Sequence, residues 1–220
     1  MDIHRIAVVA LDGVTALDLA IPLDVFTIEP GLPYEVKVCG MADRVRASSG
    51  LIMAIDHGLD AMDDADTVIV AGYQPVQRPV PVSVLDGLVA AHARGARVAS
   101  ICTGAFALAA AGLLDGRRAT THWQHLGELE TQFPLLQIDR DVLYVDNGSV
   151  LTSAGMCCGI DMCLHLLMRD LGAATANRVA RALVAPPHRE GGQAQYVPAA
   201  VALAGQTSLA ATRAWALNQL

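Results

Sequence analysis

The stretch RVASICTGAFALAAAG, residues 97–112, decides the fold of this chain. A buried strand pattern runs into Cys102 and passes at once into a helical pattern. Ser100 and Gly104 flank the cysteine, and a sharp strand-to-helix turn needs such small neighbours because the chain segments approach closely. The pattern predicts a nucleophile elbow with the Cys102 sulfur at the top of a sheet. The alternative is a small apolar cysteine in an ordinary strand–helix junction.

Strand and helix patterns alternate along the chain before this segment. IAVVAL (6–11), YEVKVCG (34–40) and TVIVAG (67–72) are typical of strands, whereas TALDLAIPLDVF (15–26) and VSVLDGLVAAHARG (82–95) have helical spacing. Strands separated by such helices predict βαβ units and a mostly parallel sheet that is covered on both faces. In such sheets a ligand site lies beyond the carboxyl ends of the strands.

A hairpin and two helices are predicted after the elbow. In DVLYVDNGSVLTSA, residues 141–154, Asn147 and Gly148 can supply the two positive-φ positions of a tight turn. Helices are predicted over residues 156–171 and 173–184. A Pro/Gly/Gln-rich stretch then ends the pattern, because it cannot continue a helix.

Composition excludes two classes of protein. Hydrophobic residues make up 53% of the 220 residues. The longest apolar run, around residues 105–114, has only half of the roughly 20 residues that cross a bilayer. The net charge is −7, with only 15 Lys and Arg. Since nucleic-acid binding depends on basic contacts to phosphates, we expect no membrane insertion and no DNA binding by this chain alone.

The five cysteines have no spacing typical of a disulfide framework or a CxxC metal pair, which favours a reducing cytoplasm. Cys157, Asp161 and His165 lie at i, i+4 and i+8, so they share one helix face and are metal-ligand types. A helix packed against a sheet explains them equally well. We therefore expect no metal and no cofactor.

Four segments resemble the ThiJ/PfpI superfamily, which is related to class I glutamine amidotransferases. They are LDGVTALDLAIPLDVF, VIVAGY, ASICTGAFALAAAGLLDGRRATTHW and VLTSAGMCCGIDMCLHLL, and with them the match spans the chain to about Val184. The resemblance implies a flavodoxin-like three-layer α/β sandwich with a mostly parallel sheet, usually as a dimer. It implies that Cys102 is the elbow cysteine, that Asp18 is the acid on the first helix, and that Gly72 faces the elbow.

The resemblance also implies that Asp18 lies against the Cys102 sulfur. A helix N-terminus favours a thiolate, so we expect the pKa of Cys102 to be lower than that of a free cysteine. Like-charge repulsion would raise the pKa of Asp18, which could share its proton with the sulfur.

The residue after the cysteine separates branches of this superfamily. The peptidase branch has His there, whereas this chain has Thr103, so the familiar Cys–His activation is absent. The set of Asp18, Cys102 and Thr103 resembles isonitrile hydratases and AraC-type regulators that carry this domain N-terminally. His122, in TTHW, either faces the pocket or lies on the surface. The predicted ligand-binding residues are Gly72, Thr103, Gly104 and His122.

The remainder of the chain resembles the regulator branch. GRRATTHW, LTSAG, PPHREGGQAQY and a helix that contains Trp215 are shared features, and in regulators such a helix leads into a helix-turn-helix domain. This helical pattern begins at Thr207 and still continues at Leu220, without a glycine cap. We expect a ligand-sensing domain over residues 1–184, and a tail with a linker helix over residues 185–220.

The resulting hypothesis is a cytoplasmic ligand-sensing and dimerisation domain of an AraC-type transcriptional regulator. It would bind a small molecule, form a homodimer, and contact DNA only through a C-terminal domain absent from this chain. A natural C-terminus at Leu220 would instead favour the alternative, an isonitrile hydratase-like enzyme that uses Cys102 as nucleophile on a small C–N substrate.

Overall fold

Strands and helices alternate along the chain. The computed structural model describes residues 3–186, 189–193 and 195. The strands are β1 (His4–Val9), β2 (Tyr34–Cys39), β3 (Arg44–Arg46), β4 (Ile52–Ala54), β5 (Thr67–Val70), β6 (Arg97–Ile101), β7 (Arg118–Ala119), β8 (Gln137–Ile138), β9 (Tyr144–Asp146) and β10 (Val150–Ser153). The α-helices are α1 (Ala16–Thr27), α2 (Val82–Ala93), α3 (Ala105–Ala110), α4 (Leu126–Gln132), α5 (Cys157–Leu171) and α6 (Ala173–Ala182).

Six strands form the central sheet, in the order β2-β1-β5-β6-β10-β9. Every neighbouring pair is parallel except β10 and β9. The register pairs Val9 with Val70 and Val70 with Ser100, so β1, β5 and β6 end at one edge of the sheet. The chain adds β2 on one side of β1 and β5 on the other, which makes the β1–β5 boundary the topological switch point. The predicted mostly parallel sheet is confirmed.

Each face of the sheet is covered by three helices. Along β1, Ile6 and Val8 belong to the core formed with α1, α5 and α6, whereas Ala7 and Val9 belong to the core formed with α2, α3 and α4. This alternation follows from the two-residue period of a strand, which points successive side chains to opposite faces. The flavodoxin-like three-layer α/β sandwich is therefore confirmed.

The predicted hairpin forms, but its turn differs from the prediction. Gly148 adopts a φ of 85°, whereas Asn147 does not have a positive φ, so that part of the prediction is wrong. The strands pair Asp146 with Leu151, and the Asn147 amide donates to the Val150 carbonyl oxygen at 3.0 Å. Gly148 and Ser149 therefore form the tip of the hairpin, and the positive φ falls on the glycine.

Part of the predicted tail lies against the domain. The Leu143 amide donates to the Gly191 carbonyl oxygen at 2.7 Å, and the Gln195 side chain is buried. The helix predicted from Thr207 lies outside the described residues, so the boundary of the tail stays a prediction. No helix in the described ranges is long and apolar enough to cross a membrane.

The first prediction concerns the close packing of α3 against β5. A Cβ atom on Gly104 would lie 2.3 Å from the Val70 carbonyl oxygen, and backbone cannot yield as a flexible side chain does. We expect Gly104→Ala to lower the free energy of unfolding by about 1–3 kcal/mol, as overpacking typically does. Urea denaturation measures this change.

The matched control is Gly127→Ala within α4, where an added Cβ meets nothing within 4 Å. The control should be neutral or stabilising by up to about 1 kcal/mol, because alanine has the higher helix propensity. Equal stabilities of the two variants would contradict the tight approach at the elbow.

Candidate functional site at the cysteine elbow

Cys102 occupies a strained turn at the end of β6. Its φ is 56°, in the left-handed region that non-glycine residues seldom adopt. A single turn of 3₁₀ helix, Cys102–Gly104, follows and continues into α3. The side chain is buried, with the residue only 7% exposed. The predicted nucleophile elbow is confirmed in its geometry, and such backbone strain is concentrated at functional sites.

Two more glycines allow backbone to approach the cysteine. A Cβ on Gly72 would lie 2.9 Å from the Cys102 Cβ and 2.4 Å from Asp18 Oδ2. Gly155 has a φ of 85°, and a Cβ there would lie 2.8 Å from the Cys102 sulfur. Gly72 was predicted from the sequence, whereas Gly155 was not. Its position between β10 and α5, in LTSAG, was the available signal.

Asp18 lies fully buried on α1 and faces the elbow. Its Oδ1 accepts a 2.9 Å hydrogen bond from the Met156 amide, which a strained φ of 50° places before α5. Its Oδ2 has no ordinary hydrogen-bond partner among the described residues, and the Cys102 thiol is a neighbouring donor. Burial raises the pKa of Asp18, and the bonds from Met156 and Cys102 oppose that rise in part.

The expected low pKa of Cys102 is wrong. Burial, and then the charge of Asp18, raise the pKa of this thiol to about 12. The amide of Thr103 favours the thiolate, as a helix start should, but its effect is smaller. Loss of water around the sulfur and the adjacent carboxylate therefore outweigh the helix terminus.

Thr103 and Thr121 hold the elbow to its neighbours. The Thr103 hydroxyl both donates to the Tyr73 carbonyl oxygen and accepts from the Tyr73 amide, each at 2.8 Å. The Thr121 hydroxyl donates to the Cys102 carbonyl oxygen at 2.8 Å. Both threonines are fully buried. The Thr103 side chain thus fixes the loop after β5, and a direct ligand contact by it stays a prediction.

His122 lies half-buried in a turn after β7. Its Nδ1 accepts a 3.3 Å bond from the Gln124 amide, and its ring packs beside those of Trp123 and His125. Burial, and then His125, lower its pKa. A contact between His122 and a ligand stays a prediction.

The side chains of the possible metal set have other partners. His165 Nε2 lies 2.7 Å from Asp146 Oδ2, and Asp161 accepts two bonds from Arg189. Cys157 is exposed with a free thiol. Within residues 3–186, 189–193 and 195, no group of three or more His, Cys, Asp or Glu is placed to hold a metal ion.

Two described residues of the tail, Arg189 and Gln195, form hydrogen bonds with the domain near the elbow. Arg189 makes a bidentate pair with Asp161, with N–O distances of 3.0 and 2.6 Å. Gln195 Nε2 donates to the Thr121 carbonyl oxygen at 3.3 Å and to the Thr120 hydroxyl at 3.2 Å. A chain of hydrogen bonds therefore runs from Cys102 through Thr121 to Gln195.

Comparison with known proteins gives a family and two kinds of relative. Residues 4–169 match the DJ-1/PfpI family. The HTH-type transcriptional regulator GbdR of Pseudomonas aeruginosa is 37% identical over 129 residues, which cover 59% of this chain and 35% of the regulator. The chain thus corresponds to about a third of that regulator's length.

Isonitrile hydratase of Pseudomonas putida is 32% identical over 194 residues, which cover 86% of this chain and 82% of the enzyme. Among solved structures, an AraC family transcriptional regulator from Pseudomonas putida superposes with a TM-score of 0.72 at 20% identity. That superposition covers 82% of this chain and 99% of the other, and it shows a shared fold.

The cysteines give the second prediction, because their exposure differs. Cys157 is exposed, whereas burial raises the pKa of Cys39 and Cys102 to about 12 and that of Cys158 to about 11. Cys102, although it lies on the elbow, should therefore react slowly. Iodoacetamide at pH 7.5 should label Cys157 first, as peptide mass spectrometry would show.

Asp18→Asn removes the charge that raises the Cys102 pKa, so the pH midpoint of Cys102 labelling should fall. Asp24→Asn, an exposed acid on the same helix, is the control and should leave the midpoint unchanged. A midpoint that is insensitive to Asp18→Asn would contradict the coupling of carboxyl and thiol.

Proposed function

Because the chain belongs to the DJ-1/PfpI family, we propose that it is the ligand-sensing and dimerisation domain of an AraC-type, DNA-binding transcriptional regulator. The similarity to GbdR and the small share of that regulator which the chain covers support this assignment. The protein would act as a cytoplasmic homodimer and contact DNA through a helix-turn-helix domain outside this chain. The net charge of −7 supports a division of labour in which this domain does not grip phosphates.

The observation that carries the proposal is the bonded path from the elbow to the tail. In a regulator, the state of the ligand pocket must reach a domain that follows the tail. The Cys102 carbonyl oxygen accepts from the Thr121 hydroxyl, and the Thr121 carbonyl oxygen accepts from Gln195, so a displacement at the elbow would act on a buried tail residue. An allosteric switch needs a structural element whose position depends on both the ligand pocket and the DNA-binding domain.

The elbow also suggests the chemistry of its ligand. Asp18 Oδ2 is a buried acceptor without an ordinary partner among the described residues. A small nitrogen-containing molecule can donate an N–H to this oxygen, because the neighbouring Cys102 thiol is only a weak donor. The proposed ligand contacts are Gly72, Thr103, Gly104 and His122. Among them, the Thr103 hydroxyl is held in place by its two hydrogen bonds to the Tyr73 backbone.

An enzyme is the second candidate, and the coverage of isonitrile hydratase supports it. The Cys102 sulfur would bond to the terminal carbon of an isonitrile while Asp18 passes the thiol proton to that carbon. Water would then add to the same carbon, and the C–S bond would break to release the formamide and restore the thiol. The thiol would have to lose its proton first, and its raised pKa makes a resting thiolate scarce at neutral pH. This cost favours the sensor.

The bonded path yields the third prediction. Gln195→Ala removes the two hydrogen bonds to Thr120 and Thr121 and should loosen the covering of the elbow. We expect Cys102 to be alkylated about 2- to 10-fold faster, because these two bonds are long, at 3.2 and 3.3 Å, and together should contribute about as much as one typical hydrogen bond. Gln193→Ala, in the exposed part of the same segment, is the matched control and should leave the rate unchanged.

The fourth prediction tests the regulator itself. This chain should show no sequence-specific binding to the promoter of its own gene at low salt. The full gene product, with the proposed helix-turn-helix domain, should bind there. Fluorescence anisotropy measures both affinities, and light scattering measures the expected dimer. Sub-micromolar specific binding by this chain alone would refute the division of labour. Cys102-dependent hydration of an isonitrile, without any DNA binding by the full gene product, would establish the enzyme instead.

A further inference from the structure

A cavity of about 260 Å³ lies beside the elbow, at the switch point of the sheet. Leu11 after β1, Met41 after β2, Val45 on β3 and Val80 after β5 contribute apolar walls. Cys102 is not among its lining residues. The cavity is therefore separate from the predicted contacts at the elbow. Ligands of open α/β sheets bind at this place because the connections diverge there and leave a crevice.

One residue that lines the cavity has a buried hydroxyl without a partner. Tyr73 lines the cavity and is only 2% exposed, and its hydroxyl has no hydrogen bond among the described residues. Such groups are rare in folded proteins, since an unpaired buried donor is costly. Burial raises the pKa of Tyr73, so the hydroxyl is neutral at physiological pH and available as a donor. A carboxylate oxygen of a ligand can satisfy it as an acceptor.

The charges at the mouth specify the sign of the ligand. Arg78 pairs with Asp12 on one side of the cavity. Arg44 on β3 also lines the mouth, is exposed, and has no ion pair among the described residues. The uncompensated charge at the mouth is therefore positive. An anionic group of a ligand could pair with Arg44 there, as Asp12 pairs with Arg78.

We propose that this cavity binds a small carboxylic acid with an apolar body, whose oxygen atoms accept from Tyr73 and face Arg44. The apolar walls take the body of the ligand, and its size is limited by the volume of about 260 Å³. This site is additional to the elbow and does not depend on whether Cys102 senses or catalyses.

The site would communicate with the elbow through Tyr73. The amide and carbonyl of Tyr73 bond the Thr103 hydroxyl, directly after Cys102. An acid that moves the Tyr73 ring therefore acts on the loop that closes the elbow.

Titration of the whole chain with 3-phenylpropionate by isothermal calorimetry tests the proposal, with 3-phenylpropionamide as the uncharged comparison. We expect saturable binding of the acid and at least fivefold weaker binding of the amide. Tyr73→Phe removes only the hydroxyl and should weaken binding about 3- to 10-fold. Arg44→Gln should weaken it similarly, whereas Arg46→Gln, on the same strand but outside the cavity lining, should not.

Ala42→Trp should abolish binding, because it fills the lining at the mouth. Absence of saturable binding by the native chain overturns the proposal, as does binding that ignores Tyr73→Phe and Arg44→Gln together. Conversion of a dimer to a monomer by Ala42→Trp, without loss of probe binding, would show that a second copy covers this face and would also overturn it. The DNA measurements do not enter this test, so its failure and that of the regulator proposal are distinguishable.

Discussion

The close packing of backbone around the Cys102 elbow is the constraint on which the molecule depends. Gly72, Gly104 and Gly155 each lie where a Cβ would overlap the elbow or the strand beside it. Strands β1, β5 and β6 end in register, and this brings their loops to one point. The absence of side chains there allows the sheet edge to close over the sulfur and excludes water from it. The buried state of the cysteine is therefore a consequence of the packing of the whole sheet edge.

That burial determines the chemistry of the site. A thiol at a helix start in water would have a low pKa. Here burial and the Asp18 charge raise the pKa of Cys102, and burial raises that of Asp18. Asp18 is in turn fixed by the Met156 amide, so carboxyl and thiol cannot separate. A ligand that donates to Asp18 would alter the carboxylate whose charge raises the Cys102 pKa. Ligand binding and thiol acidity are thus linked in either function.

The sequence predicted the sandwich and the elbow because both depend on local signals. Period-two and helical patterns separate strands from helices, and small residues around Cys102 indicate the turn. The roles of Gly155 and Met156 at the site could not be predicted, because they depend on the pairing of β10 with β6, which are far apart in sequence. The predicted direction of the Cys102 pKa shift was wrong for the same reason, because the burial that raises this pKa is a property of the assembled sheet. The exposure of Cys157 likewise depends on which face of α5 packs inward.

Tyr73 and Thr121 give the elbow two routes outward. Tyr73 joins it to the cavity at the switch point, and Thr121 joins it to Gln195 in the tail. Both routes consist of hydrogen bonds between buried groups, which are stronger than exposed ones but lose more when one partner moves. Cys102, with its strained backbone, lies between them and connects the two routes. The arrangement suits a domain that converts occupancy of a pocket into the position of its C-terminal segment.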